Sequence, residues 1–221
     1  MEQQNIFKEY YQNMSESDVW LPKFPNFRQF KMRLQDDRII LLKKQIHSKK
    51  QLLKELRKYS PKDIWFSSCL FLNPLNVRSK DRKDAHYKIA DNLFLGTKEI
   101  VLDIDEEILE MARQKAIRVL DKVKEYEIER ITFSGGKGFH IILKDDYHPV
   151  MKVSERREQY KKDREAWIKE HNITEADINP LTNAMGVIRL PNSLHRNLNV
   201  CKNITEDELR TGEFDVIKVV E

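Results

Sequence analysis

The sequence predicts an α+β domain: a mixed β-sheet flanked by helices. Three observations lead there. Short apolar runs of strand length interleave with segments of helical period along the chain. Several strand runs are separated only by tight-turn residues, which places hairpins among the crossovers. No internal repeat, low-complexity tract or Gly/Ser linker divides the 221 residues, a length that suits one domain.

In chain order, residues 1–23 form a lead-in whose 5–13 stretch (NIFKEYYQN) is a short helix. The stretch 27–45 reads as two strands around a turn at Gln35-Asp36-Asp37. Ser48 caps the helix SKKQLLKELRKY, which Ser60-Pro61 terminates. IWFSSCLFL is a strand ending in a turn at Asn73-Pro74, and the polar stretch 76–92 is a loop. EIVLDID is a strand, near-continuously apolar until its two aspartates. EEILEMARQKAIRVLDKVKEY is an amphipathic helix with Ile108, Ala112, Ala116, Val119, Leu120 and Val123 on one face. ERITF and FHIIL are strands joined by the turn SGGKG, and SERREQYKKDREAWIKEH is a charged helix. GVIRL is a strand that runs into the loop PNSLHRN. A capping box at Thr205-x-x-Glu208 and a last strand, DVIKVV, complete the chain.

Composition narrows the class of function. Hydrophobic residues make up 40%, enough for a core, and charged residues 34%, above the roughly 25% usual for soluble domains. A mean hydropathy of -0.67 and the lack of a long apolar run exclude a membrane span. The opening MEQQNIFKEYYQNM has no apolar core of a secretory signal. Cys69 and Cys201 cannot make a disulfide framework or a four-cysteine zinc site. The expectation is a soluble cytoplasmic protein in a reducing compartment. Forty basic against 36 acidic residues leave a net charge of +4, which leans toward a polyanionic partner. The basic clusters at Lys43-Lys44, Lys49-Lys50 and 156–164 fit that partner, and they equally fit solvated helix faces.

Three segments carry chemistry. In Asp103-Ile104-Asp105 the two carboxylates project from one face of a strand and Ile104 from the other. Adjacent carboxylates repel unless a cation lies between them, and hard oxygen ligands suit Mg²⁺ or Mn²⁺. The same pattern also fits a strand ending in solvent. Ser134-Gly135-Gly136-Lys137-Gly138-Phe139-His140 holds three of the six glycines. So many imply a backbone that approaches a ligand closely, and exposed N–H groups beside Ser134, Lys137 and His140 make an anion nest. A tight turn with a packed histidine is the alternative. In Ile188-Arg189-Leu190-Pro191-Asn192-Ser193-Leu194-His195-Arg196, a strand delivers Arg189 and Pro191 stops the ladder. Ser193, His195 and Arg196 then share a short loop, a set suited to triphosphate oxygens. Read alone, it is also an ordinary strand–loop corner. Together the segments are the parts of a nucleotidyl-transfer site.

In order along the chain, IVLDID, SGGKGFH and IRLPNSLH resemble the three motifs of the archaeo-eukaryotic primase superfamily, in particular the catalytic small subunit of DNA primase. The family's first motif is an apolar strand ending in D-x-D, its second S-G-x-x-G-[YF]-H, its third close to RLPGSLH. Arg28-Gln29-Phe30 stands where the family has R-E-F, and DIWFSSCLFLNP resembles the segment before the first motif. The resemblance covers residues 24–202 and implies a minimal primase-polymerase core with an RRM-like unit.

Carried over residue by residue, it implies Asp103 and Asp105 as catalytic metal ligands for Mg²⁺ or Mn²⁺. Ser134, Lys137 and His140, with Gly135, Gly136 and Gly138, would meet the phosphates of an NTP or dNTP; Arg189 and His195, joined by Ser193 and Arg196, would complete the pocket. The family's third metal carboxylate falls on Asn183, which offers a carbonyl oxygen without charge, and Asp177 is the stand-in if the loop is shifted. Asn197 stands where the family often has lysine. The small subunit's zinc-binding cysteines are absent, so no zinc is expected. The implied activity is primer synthesis or strand extension on single-stranded DNA, with a large regulatory subunit as partner and no membrane. A repair-type polymerase, a weakened paralogue serving as a binding subunit, and a phosphohydrolase that leaves the RLPNSLH loop unused are the competing readings.

Overall fold

The computed structural model describes residues 2–78 and 88–219. The chain opens with helix α1 (Glu2–Asn13), the antiparallel pair β1 (Phe30–Arg33) and β2 (Ile39–Leu41), and helix α2 (Lys49–Tyr59). The Ser48 hydroxyl caps α2 by accepting from the Gln51 N–H, and Ser60 closes it in a left-handed conformation. Strands β3 (Asp63–Ser67) and β4 (Leu70–Phe71) follow. The segment expected as one strand is therefore two, and they belong to different sheets. The break falls at Ser68, whose N–H donates to Gly186 O and whose carbonyl accepts from Thr97 Oγ1, so tertiary partners turn the chain.

Within the expected loop 76–92 the described part holds β5 (Val77–Arg78), β6 (Lys88–Ile89) and the start of α3 (Ala90–Leu93); 79–87 lie outside the described residues. Then come β7 (Phe94–Asp105), α4 (Leu109–Lys122), β8 (Ile128–Phe133), β9 (Gly138–Tyr147), α5 (Arg156–Glu170), α6 (Asn179–Thr182), β10 (Val187–Arg189), β11 (Lys202–Ile204) and α7 (Glu206–Thr211). Thr205 and Glu208 form the capping box of α7. The segment 215–220, expected as a strand, makes only an isolated bridge, Lys218 to Asn199, and is otherwise irregular over its described residues.

One antiparallel sheet has the order β10-β3-β1-β2, the other β11-β8-β9-β7-β4, and the parallel pairing among the described residues is confined to β5 and β6. In the larger sheet β9 lies between β7 and β8, with α4 crossing over between them, which is the split β-α-β arrangement of an RRM-like unit. Its two faces are both buried. Ile100, Leu102, Ile104, Phe139 and Ile141 pack with Ala112, Ala116, Val119 and Leu120 of α4. Val101 and Ile142, on the opposite face, join Phe30, Met32, Ile64, Phe66 and Ile188 of the smaller sheet. Ile108 departs from its expected place: it precedes the first turn of α4 and is exposed. The lead-in is part of the core as well. Phe7 and Tyr11 are buried there, and Tyr10 Oη donates to Asn192 O while Tyr11 Oη accepts from the Leu194 N–H, so α1 braces the third motif's loop. Among the described residues no helix is long and apolar enough to cross a membrane.

Candidate active site

Strand register brings the first two motifs together. In the β7–β9 pairing Asp103 stands opposite His140 and Asp105 opposite Gly138. The third motif arrives from the other sheet, where β10 places Arg189 opposite Trp65 of β3. The result is a cleft of about 590 Å³ whose wall includes Asp103, Asp105, His140, Ser134, Gly136 and Lys137 from one side. Arg189, His195 and Arg196 line it from the other. A second cavity, about 480 Å³, lies against α1; Glu9 and Asp18 line it and, among the described residues, no basic residue does, so it does not suit a polyphosphate.

The acidic wall is electrostatically uncompensated. Asp103 Oδ1 is buried and accepts no hydrogen bond among the described residues, although His140 Nε2 lies 3.3 Å away. Burial, followed by the charge of Asp177, raises the Asp103 carboxyl to about 6, against a slight lowering by Arg189. Asp105, at the exposed rim, is raised by desolvation and then by Asp103.

Glu106 and Glu107 also line the cleft, and Asp177 is a further acid close enough to Asp103 to raise it. Asp177 bridges to Asp103, its N–H donating to Asp103 O at 2.7 Å. Asn183 closes the short helix α6, where its Oδ1 accepts from the Met185 N–H, and it lines no part of the cleft. Asn183, expected to complete a metal site, thus spends its oxygen on its own turn, as Asp177 Oδ1 does in accepting from the Asn179 N–H, and neither residue lines the cleft.

The residues present fit a divalent cation. An orphaned buried carboxylate oxygen and two carboxyls pushed above their ordinary range are what such an ion relieves. No group of three His, Cys, Asp or Glu among the described residues could hold a metal unaided. That agrees with Mg²⁺ chemistry, in which one or two carboxylates act with substrate phosphates.

The basic wall is organised by a residue the sequence reading passed over. Asp63, buried at the start of β3, accepts from Arg189 Nη1 at 2.5 Å and from the Arg196 N–H at 3.2 Å, and its Oδ2 lies 3.1 Å from Arg33 Nε. The Arg189 guanidinium also lies over the Trp65 ring, 5.4 Å from its centroid. Trp65 itself is half-buried and lines the cleft. The signal for both residues was available: an acid and an indole in an otherwise apolar strand.

Both histidines are neutral at pH 7. Burial, then the charge of Arg189, lowers each to about 4. His195 Nδ1 accepts from the Asn197 N–H at 3.0 Å, which leaves the proton on Nε2. The positive charge of the cleft is thus carried by Lys137, Arg189 and Arg196.

Two further expectations change. Ser193 is fully buried and its hydroxyl donates to Leu190 O at 2.6 Å, so it closes its own loop and does not reach the cleft. The glycines are explained largely by protein packing. Gly135 has φ +79°, and a Cβ there would stand 3.0 Å from His195 Cβ; at Gly138 it would fall 2.0 Å from Asp105 Oδ1 and 2.2 Å from Ile104 O. Gly135 and Gly138 let the second motif lie against the third and the first. Gly136 faces the cleft, its N–H donating to Ser134 Oγ at 3.3 Å.

No known family's sequence profile matches the chain, and no curated protein matches it. Among solved structures, the polymerase domain of Mycobacterium tuberculosis Ligase D, in complex with DNA, superposes with a TM-score of 0.60 over 98% of this chain and 85% of that one, at 12% identity. The fold is therefore that of a primase-polymerase core: an α+β architecture with antiparallel sheets flanked by helices.

Proposed function

We propose that the chain is a primase-polymerase-type nucleotidyltransferase that makes or extends a strand on a single-stranded DNA template from NTPs or dNTPs. The observation that carries this reading is the unpartnered Asp103 oxygen and its acidic neighbours in one cleft with Lys137, and across it from Arg189 and Arg196. Asp103 and Asp105 would hold Mg²⁺ or Mn²⁺, which when bound supplies Lewis-acid stabilisation of the transferring phosphoryl group and a more acidic 3′-hydroxyl.

The chain's own groups do the rest. Lys137, Arg189 and Arg196 neutralise the phosphate oxygens, and Arg189 does so from a fixed position because Asp63 and Trp65 hold it on two sides. His195 Nε2–H donates to a phosphate oxygen without adding charge. His140 stands opposite Asp103 in the strand register, its Nε2 3.3 Å from Asp103 Oδ1. The fold shared with a DNA-bound polymerase domain supports the template as partner. A large regulatory subunit remains part of the proposal through the motif resemblance. The weakened-paralogue reading rests on Asn183, and the assay below separates it from an active enzyme.

The test is templated incorporation on single-stranded DNA with Mn²⁺, run with and without a primer. Wild-type protein is expected to form product complementary to the template, and Asp105→Ala to lose at least 100-fold. Absence of product with wild type, or an unchanged rate in the variant, overturns the reading. Release of inorganic phosphate without polymer points to the phosphohydrolase instead.

A further inference from the structure

The smaller sheet has a covered face and an open one. Phe30, Met32, Ile64, Phe66 and Ile188 face the core, so the alternate residues of the same strands face outward. Register aligns four of these in a single row across the sheet: Leu41 opposite Lys31, Lys31 opposite Trp65, Trp65 opposite Arg189. The row spans three inter-strand spacings, roughly 14 Å. Its Arg189–Trp65 end lines the cleft, and its far end is exposed, Leu41 at 41% and the neighbouring Ile39 at 57%.

We propose that this open face is the track along which a single-stranded DNA template runs into the cleft; the proposal rests on reading the cleft as a site of nucleotidyl transfer. The row alternates apolar surface with positive charge, which is the composition that grips an unpaired strand: bases stack on rings and apolar side chains while cations follow the phosphates. Lys31 makes no ion pair or hydrogen bond among the described residues, and its partial burial holds its pKa below the ordinary lysine value. It is a cation without a counter-charge. Arg33 lies on the same face, 5.8 Å from the Trp65 ring centroid. The acid beside the row, Asp63, is buried and already engaged with Arg33 and Arg189, so nothing in the row repels a polyanion. A duplex has its bases stacked on one another and cannot offer their faces to Trp65, so single strands are preferred.

The experiment compares binding of a fluorescein-labelled oligothymidylate by anisotropy, without nucleotide or metal, across the full-length wild type, Lys31→Glu and Leu41→Glu. Each variant is expected to weaken binding about tenfold, with Lys31→Gln and Leu41→Ser giving smaller losses and wild-type melting temperatures. Binding of a fluorescent nucleotide analogue with Mn²⁺ stays unchanged in all of them. A Lys161→Glu/Lys162→Glu protein, altered on exposed residues of α5, binds the oligonucleotide as wild type does. The track is refuted if wild type does not bind the strand, if the sheet variants bind it as wild type does, if the α5 variant loses as much, or if duplex binds equally well. A wild type that incorporates nucleotides while Lys31→Glu and Leu41→Glu bind normally sinks the track and leaves the function. Binding that depends on these residues in a protein that makes no product does the reverse.

Discussion

Asp103→Asn should stabilise the metal-free protein while destroying its activity. A carboxyl raised from 3.8 to about 6 in the folded state has its ionised form disfavoured by about 3 kcal/mol at pH 7. Asparagine removes that charge at nearly constant shape but leaves a buried oxygen without a partner, so about 2 kcal/mol of the difference is recovered. For a chain of this size that raises the melting temperature by roughly 4–8 °C.

The sign of the pH dependence follows from the direction of the shift. Between pH 4 and pH 6 the folded protein keeps the Asp103 proton that the unfolded chain releases, so this group lowers stability as pH rises. The advantage of the Asp103→Asn variant over wild type is therefore complete above about pH 6 and absent below about pH 4. His140 and His195, both lowered to about 4, act in the opposite direction: their contribution is present above pH 6.5 and lost as pH falls toward 4. His195 does so in both proteins and cancels in the difference, while His140, 3.3 Å from Asp103, loses a carboxylate neighbour in the variant and adds a smaller contribution of its own. Thermal unfolding monitored by circular dichroism in EDTA, from pH 4 to pH 7.5, measures the difference. A variant less stable than wild type at pH 7, or a gain that does not change with pH, refutes the reasoning.

Three more outcomes are expected. Asp63→Asn removes the charge that holds Arg189 and Arg33; it should cost about 3–5 kcal/mol in a melt and raise the KM for nucleotide more than it lowers kcat. Gly138→Ala puts a methyl within 2.0 Å of Asp105 Oδ1 and 2.2 Å of Ile104 O, so β7 and β9 must part; a loss of about 1–3 kcal/mol accompanied by lost incorporation is expected, and a silent substitution contradicts the packing. Asn183→Asp should leave incorporation within about twofold of wild type, whereas Asp177→Asn should change it at least tenfold, both read in the primer-extension assay.

Helix ends were the most legible part of the fold. Ser48, Ser60 and the Thr205–Glu208 box act on backbone groups within a few residues, so their outcome does not depend on the rest of the molecule. Alternation along β7 and β9 was legible for a related reason: which face Asp103 shares with Asp105, and which His140 shares with Ile142, follows from strand geometry alone. What depends on distant partners was not. The break between β3 and β4 is made by Gly186 and Thr97, far away in the chain. The 215–220 run has the composition of a strand but pairs through one bridge only. In the site, the Ser193 hydroxyl is consumed by a carbonyl three residues earlier, which the motif pattern alone does not reveal. That the backbone of Asp177 bridges to Asp103 was not legible, because the path of the loop that carries it depends on distant partners. Asp63 went unread because its partners, Arg33, Arg189 and Arg196, lie on other strands and a loop.

A structure of the protein with a non-hydrolysable nucleoside triphosphate and Mn²⁺ tests the central claim at atomic level. Electron density for the ion against Asp103 and Asp105, with the phosphates reaching Lys137 beside them and Arg189 and Arg196 on the far wall, is the predicted result. A nucleotide seated in the α1 cavity, or phosphates bound with no ion at Asp103, would contradict it.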